Sequence, residues 1–232
     1  MSSSQSNQRK AVGKPIAPLF YINEKNKTFK TYDFENSKIV QKLINSKTAK
    51  LPSFSGVGSV SSRVFLFGGK DHLQKAFSSK SYEIQWNEDD TIDLVPINRM
   101  FKERSRSTVA SINKNCQGYN PFLVIIGGSD DSSTLNNCEL YYPTTDSFYS
   151  FPSLSIAREN ASSCVFTQGD DLFIYCFGGF DKRAIENIER IKISFSLDPE
   201  ETLNGTRPLV SSKWEKIKNA SLEKSVECCG TF

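Results

Sequence analysis

Apolar residues along this chain gather in short runs of strand length that end on turn formers, and three of those runs end alike. The stretches "FLFGGKD" from Phe65, "FLVIIGGSD" from Phe122 and "LFIYCFGGFD" from Leu172 each place an apolar run before two glycines, with Asp close behind. The pairs are Gly68 and Gly69, Gly127 and Gly128, Gly178 and Gly179. One pair alone would be a turn, because glycine reaches positive φ without steric cost. Recurrence at spacings of 59 and 51 residues makes it a repeat.

Other columns keep the same register. Ahead of the second pair runs "RSRSTVASI" from Arg104, and ahead of the third "RENASSCVF" from Arg158. Each reads as a basic residue, then a strand of small residues crowded by close neighbours. Behind the pairs come "YEI", "CELYY" and "IERI", which set Glu83, Glu139 and Glu189 between apolar residues and predict a further strand. "PTTDSFYSF" then supplies a turn at Pro143 and Asp146 and an aromatic, Phe148, that opens a last strand; Trp214 takes that role in the third copy. Four short strands per unit follow. Only 34–50 breaks the pattern: Ile39, Val40, Leu43 and Ile44 fall at helical spacing, which predicts a short helix or an irregular connector.

A four-stranded unit of about 50 residues cannot bury both faces alone, and radial stacking solves this. On the apolar run with its double glycine, the Glu column and the closing aromatic, the chain resembles the kelch-repeat family. The resemblance implies an all-β fold, a partial kelch-type β-propeller with about three full four-stranded blades plus split end strands. The expected units are a disordered lead-in at 1–16, an outer half-blade at 17–33, blades at 50–97, 100–154 and 155–218, and the first strand of a truncated blade at 222–232. The apolar residues 65–67, 123–126 and 172–177 would be inner strands, and the six paired glycines structural. The first unit lacks the basic residue at its start. The third carries a long insertion, "SFSLDPEETLNGTRPLVSS". An array left open exposes strand edges that invite self-association.

Composition narrows the chemistry. No apolar run reaches the roughly 18 residues that span a bilayer, and the polar, basic opening is no secretory signal, so a cytoplasmic chain without membrane contact is expected. A net charge of +3 with scattered Lys and Arg gives no nucleic-acid footprint. Six cysteines without a CxxC pair or neighbouring His read as reduced thiols, with Cys164 and Cys176 as small core residues.

Some members of the resembled family are oxidases, isomerases or lyase-like enzymes. A copper oxidase needs several histidines, whereas His72 stands alone here. No GxSxG elbow and no phosphate-cradling GxGxxG occurs. Acidic groups such as Glu88 to Asp90, or Asp130 with Asp131, read as solvated turns. The expectation is therefore a non-enzymatic module without cofactor or metal, an adaptor or scaffold for a protein or acidic peptide; a kelch-fold enzyme and an actin-associated protein are the alternatives. The resemblance puts the binding face on the loops after each double glycine and on those leading into each first strand. That selects Lys70, His72, Arg104, Arg106, Ser129, Asp130, Arg158, Asp181 and Arg183. Arg suits such a face because its planar fork grips carboxylates bidentately. Arg104 and Arg158 carry a competing reading as caps of strand ends inside the unit.

Overall fold

The computed structural model describes residues 20–23, 28–33, 37–44, 52–71, 75–89, 91–113, 120–169, 171–194, 209–210 and 213–222. Among them every regular element is a strand, and no helix is long and apolar enough to cross a membrane. The chain begins with an antiparallel meander of β1 (Phe20–Asn23), β2 (Thr28–Asp33) and β3 (Lys38–Ile44). The first repeat unit is β4 (Gly56–Val60), β5 (Arg63–Phe67), a small hairpin of β6 (Lys70–Asp71) and β7 (Ala76–Phe77), then β8 (Ser81–Trp86) and β9 (Thr91–Ile97). The second is β10 (Thr108–Ile112), β11 (Phe122–Ile126), β12 (Cys138–Tyr142) and β13 (Ser147–Phe151), paired in chain order. The third is β14 (Ser162–Gln168), β15 (Asp171–Phe177), a small hairpin of β16 (Phe180–Asp181) and β17 (Arg183–Ala184), and β18 (Asn187–Ser194). Its last place is shared by β19 (Leu209–Val210) and β20 (Glu215–Ser221), both paired with β18 around a register shift. The insertion seen in the sequence thus splits one strand position into two.

The meander departs from expectation twice. Helical spacing in 34–50 gives way to β3, because β2 pairs with it from Thr28↔Leu43 to Asp33↔Lys38 and satisfies its backbone as a ladder. Its side chains alternate accordingly: Ile44 is buried, while Ile39 and Leu43 on the other face are 67% and 57% exposed. Nor do the strands of 17–33 form a separate outer half-blade. β3 runs parallel to β9, with Leu43↔Thr91 and Ile44↔Ile92, so the meander extends the sheet of the first unit to seven strands. Residues 1–16 lie outside the described residues, as does 222–232 apart from Leu222, whose amide donates to the Glu186 carbonyl at 3.1 Å.

The three units stack face to face. Between the first and second lies a cluster of Val60, Phe65, Phe67, Val109, Leu123, Ile125, Tyr141 and Phe148. Its rings meet at centroid separations of 4.6 Å for Tyr141–Phe148 and 5.5 Å for Phe67–Tyr141, geometry that adds about 0.5–1.5 kcal/mol per pair beyond area burial. Between the second and third lie Ile112, Phe122, Val124, Ile126, Leu140, Ile174, Ile191 and Trp214. Trp214 closes that cluster, its indole N–H donating to the Pro152 carbonyl at 2.8 Å and its ring edge-on to Phe151.

The strands nearest one another across the stack are the first of each unit: β4 against β10, and β10 against β14. Thr108 Oγ1 and Ser163 Oγ lie 2.9 Å apart, and the Ser59 amide donates to Ser111 Oγ at 3.3 Å. Small residues make this approach sterically available. The apolar runs 65–67, 123–126 and 172–177 are consequently second from the close edge of the stack rather than innermost.

Candidate functional site

Each apolar run delivers its glycine pair to the same end of the stack, and the second unit displays why glycine is needed there. Gly127 and Gly128 have φ of 61° and 102°. A Cβ on Gly127 would collide with the Arg158 carbonyl oxygen of the next unit, and one on Gly128 with that of Ser105. Backbone, unlike a flexible side chain, cannot give way. The Gly128 amide donates to that same Arg158 carbonyl at 2.9 Å, as Gly69 does to Arg104 at 2.7 Å. The first two doublets are therefore where one unit's turn is fastened to the entry of the next.

The basic column faces inward. Arg104 and Arg158 are fully buried, which removes both from the partner-contacting groups. Arg104 Nη1 donates to the carbonyls of Gly127 and Asn137 at 2.8 and 3.0 Å, and Nη2 pairs with Glu139 at 2.5 Å. Arg158 repeats this on Gly178, Asn187 and Glu189, the last at 2.7 Å. Each glutamate also accepts amides from the segment entering its unit: Phe101 and Lys102 for Glu139, Ser155 and Ile156 for Glu189. An isolated buried charge would be costly; here most of the donors and acceptors of both ions are used. Arg104 Nε and Arg158 Nε are the buried remainder.

Register corrects the alignment of the first unit. Glu139 stands opposite Ile125 and Glu189 opposite Cys176, each two residues before its glycine pair. The corresponding residue before Gly68 is Leu66, whose partner is Tyr82, while Glu83 faces Phe65. Glu83 is thus one step out of the column and points to the other face, where Arg63 holds it bidentately at 2.7 Å for both contacts. Four residues before each first strand stand Arg104 and Arg158 in the later units and Pro52 in the first. Arginine and glutamate are lost together. Ser55 Oγ instead donates to the Gly68 carbonyl at 3.0 Å.

Around the glycine pairs, the remaining selected residues that are described fall on one loop-built end. Lys70 lies over the Phe77 ring at 4.6 Å. Ser129 is mostly buried and bridges both Ser105 and Thr134. Asp130 accepts from the amides of Ser132 and Ser133 and pairs with Lys102 at 2.9 Å. The Lys102 ammonium, with those turn amides, holds its carboxyl well below the usual range. Asp181 and Arg183 pair in the β16–β17 hairpin, Arg183 exposed. His72 lies outside the described residues.

Arg106 is exposed and belongs to a row that sequence reading did not find. Phe54, Arg106 and Asn160 occupy equivalent places two residues into each entry segment, all left-handed with φ of 56°, 56° and 52°. The Arg106 amide donates to the Phe54 carbonyl at 2.8 Å and the Asn160 amide to the Arg106 carbonyl at 3.0 Å, so a backbone ladder crosses the three units. The Arg106 guanidinium lies 5.0 Å over the Phe54 ring, and its Nη1 reaches both Glu159 oxygens at 3.2 Å. Asn is a common left-handed residue, but Phe and Arg are not; composition gives no hint of their backbone state. No family model matches this chain, and no curated protein matches it in sequence.

The thiols and carboxylates fall into quieter roles. Cys138 and Cys176 are fully buried, and burial pushes both thiols up to about 12; Cys164 is half-buried and less shifted. Asp89 accepts from the Thr91 amide and hydroxyl, a turn-capping arrangement. Among the described residues no cluster of three His, Cys, Asp or Glu is placed to hold a metal ion.

Proposed function

We propose that this chain is a kelch-type β-propeller module, partial in extent, that acts without catalysis by binding a protein partner in the cytoplasm. The observation that carries the reading is the division of labour at the glycine-bearing end. Glycine pairs and buried Arg–Glu pairs hold the frame there, while the segments beyond them, Lys70–Ala76, Ser129–Thr134 and Phe180–Ala184, share an Asp at their second position and differ in length and in the rest of their sequence. A rigid repeat that displays unlike loops on one side has the form of a recognition surface.

Replacement of those three segments by Gly-Ser turns tests this in the full chain. Partner capture from the native extract should be lost. The same replacement at the opposite end, in the turns around Ser61, Thr144 and Gly169, should leave it intact. Retention of the partner after the first replacement, or loss after the second, overturns the assignment of the face.

A further inference from the structure

We infer that the outer face of the third unit is the interface of a two-fold dimer of this chain, a pairing of faces and not of strand edges. Counted back from the glycine pair, Phe177, Tyr175 and Phe173 occupy the places of Ile126, Val124 and Phe122, and Cys164 takes that of Ala110. In the second unit those residues are buried against the third. In the third, the last of the stacked sheets among the described residues, Cys164, Tyr175 and Phe177 are only partly buried, and Phe166 in the same face is 58% exposed. The covered faces are built alike, with Gly58 or Ala110 on the first strand beside Phe65 or Val124 on the second.

The order of residues across the sheet selects a second copy as the occupant. Rows on this face cross β14, β15 and β18: Phe166, Phe173 and Lys192 form one, and Cys164, Tyr175 and Arg190 the next. Neutral groups thus lie on one side of β15 and cations on the other. A half-turn about an axis along β15 lays Phe166 of each copy on Lys192 of the other, an ammonium over a ring at both places. Within one copy the Arg190 guanidinium already lies 4.9 Å over the Phe173 ring, a contact of the same kind. Asp171 pairs with Lys192 at 2.7 Å and Glu215 with Arg190 at 3.7 Å, so two carboxylates balance the two cations and like faces are not driven apart. At the far end of the stack the outer face of the first unit is closed, with Val64, Leu66, Ile92 and Leu94 buried, and association stops at two.

The test is sedimentation of the full chain over a range of concentrations, repeated with variants that melt normally. A monomer–dimer equilibrium without larger species is expected. Phe166→Ser should weaken the dimer about tenfold or more and Lys192→Ala severalfold, since each contact occurs twice. In the double variant the two effects should fall short of additive, although β15 lies between these residues within one chain. Leu43→Ser, at an exposed aliphatic of β3, should change nothing. A chain that stays monomeric, assemblies beyond two, or a dimer indifferent to both Phe166→Ser and Lys192→Ala overturn the inference. Additive effects would deny Phe166 and Lys192 a shared contact and overturn the half-turn arrangement, and a dimer lost with Leu43→Ser instead would place the interface on the meander.

Discussion

The first unit and the two that follow reach the same four-stranded sheet by different means. In the second and third, a fully buried arginine spans the glycine turn, the neighbouring strand and a buried glutamate. In the first, Pro52, Ser55 and Tyr82 take those places, and the Arg63–Glu83 ion pair lies toward the surface. The fold therefore does not require the ion pair. Once one member is present the other becomes obligatory, because a buried guanidinium or carboxylate without its partner is far costlier than neither.

Removal of one ion should produce the largest effect. Glu139→Ala or Glu189→Ala is expected to destabilise by roughly 3–5 kcal/mol, read from chemical denaturation of the full chain. Losses below that of an ordinary surface change would mean that the pairs are solvated in solution. Next comes Gly127→Val, expected to cost more than about 2 kcal/mol through strain and collision with the Arg158 carbonyl, against little change for Lys70→Ala. Coincident melts for the two variants would count against the fastening role of the doublets.

A transplant sharpens the comparison further. Tyr82→Glu alone should destabilise, and Pro52→Arg together with it should recover part of the loss, with a coupling of about 1–3 kcal/mol in a double-mutant cycle. Additive behaviour would deny the two sites a common pairing. Alkaline pH should separate the units in another way. Cys138 and Cys176 are protonated in the fold up to about 12 but ionise near 9 when unfolded. The unfolded chain thus binds fewer protons between those values, and stability should fall as pH rises through that window. Cys138→Ala with Cys176→Ala should flatten the profile there; an unchanged slope would assign it to other groups. The smallest effect belongs to Arg63→Met, within about 1 kcal/mol because its pair with Glu83 is solvent-screened.

Much of the frame was legible because it depends on residue type. Apolar runs, paired glycines and the Arg and Glu columns each state a local requirement, and all recur. What escaped depends on register and on neighbours. Glu83 sits between apolar residues like Glu139, yet one step of pleat turns it to the opposite face. Ile39 and Leu43 satisfy a helical spacing as well as a strand with two exposed aliphatics, and only pairing with β2 decides. At the candidate site, Arg106 was visible as a fork for carboxylates, but its two restraints were not: Phe54 and Glu159 come from the preceding and following units.

The close edge of the stack sets something beyond contact. A Cβ on Gly58 would come within 2.6 Å of Val109 and 2.8 Å of Leu123, so glycine fixes how near the first two sheets can draw at that edge, while behind it they are spaced by aromatic rings from β5, β12 and β13. The corresponding place in the second unit is Ala110, one carbon larger. Neighbouring sheets narrow at one side and broad at the other form wedges, and Gly56 is as crowded as Gly58, a Cβ there falling 2.6 Å from Ser107 Oγ. The wedge is thus set as much by the side chains that the first strands leave out as by those that fill the space behind them.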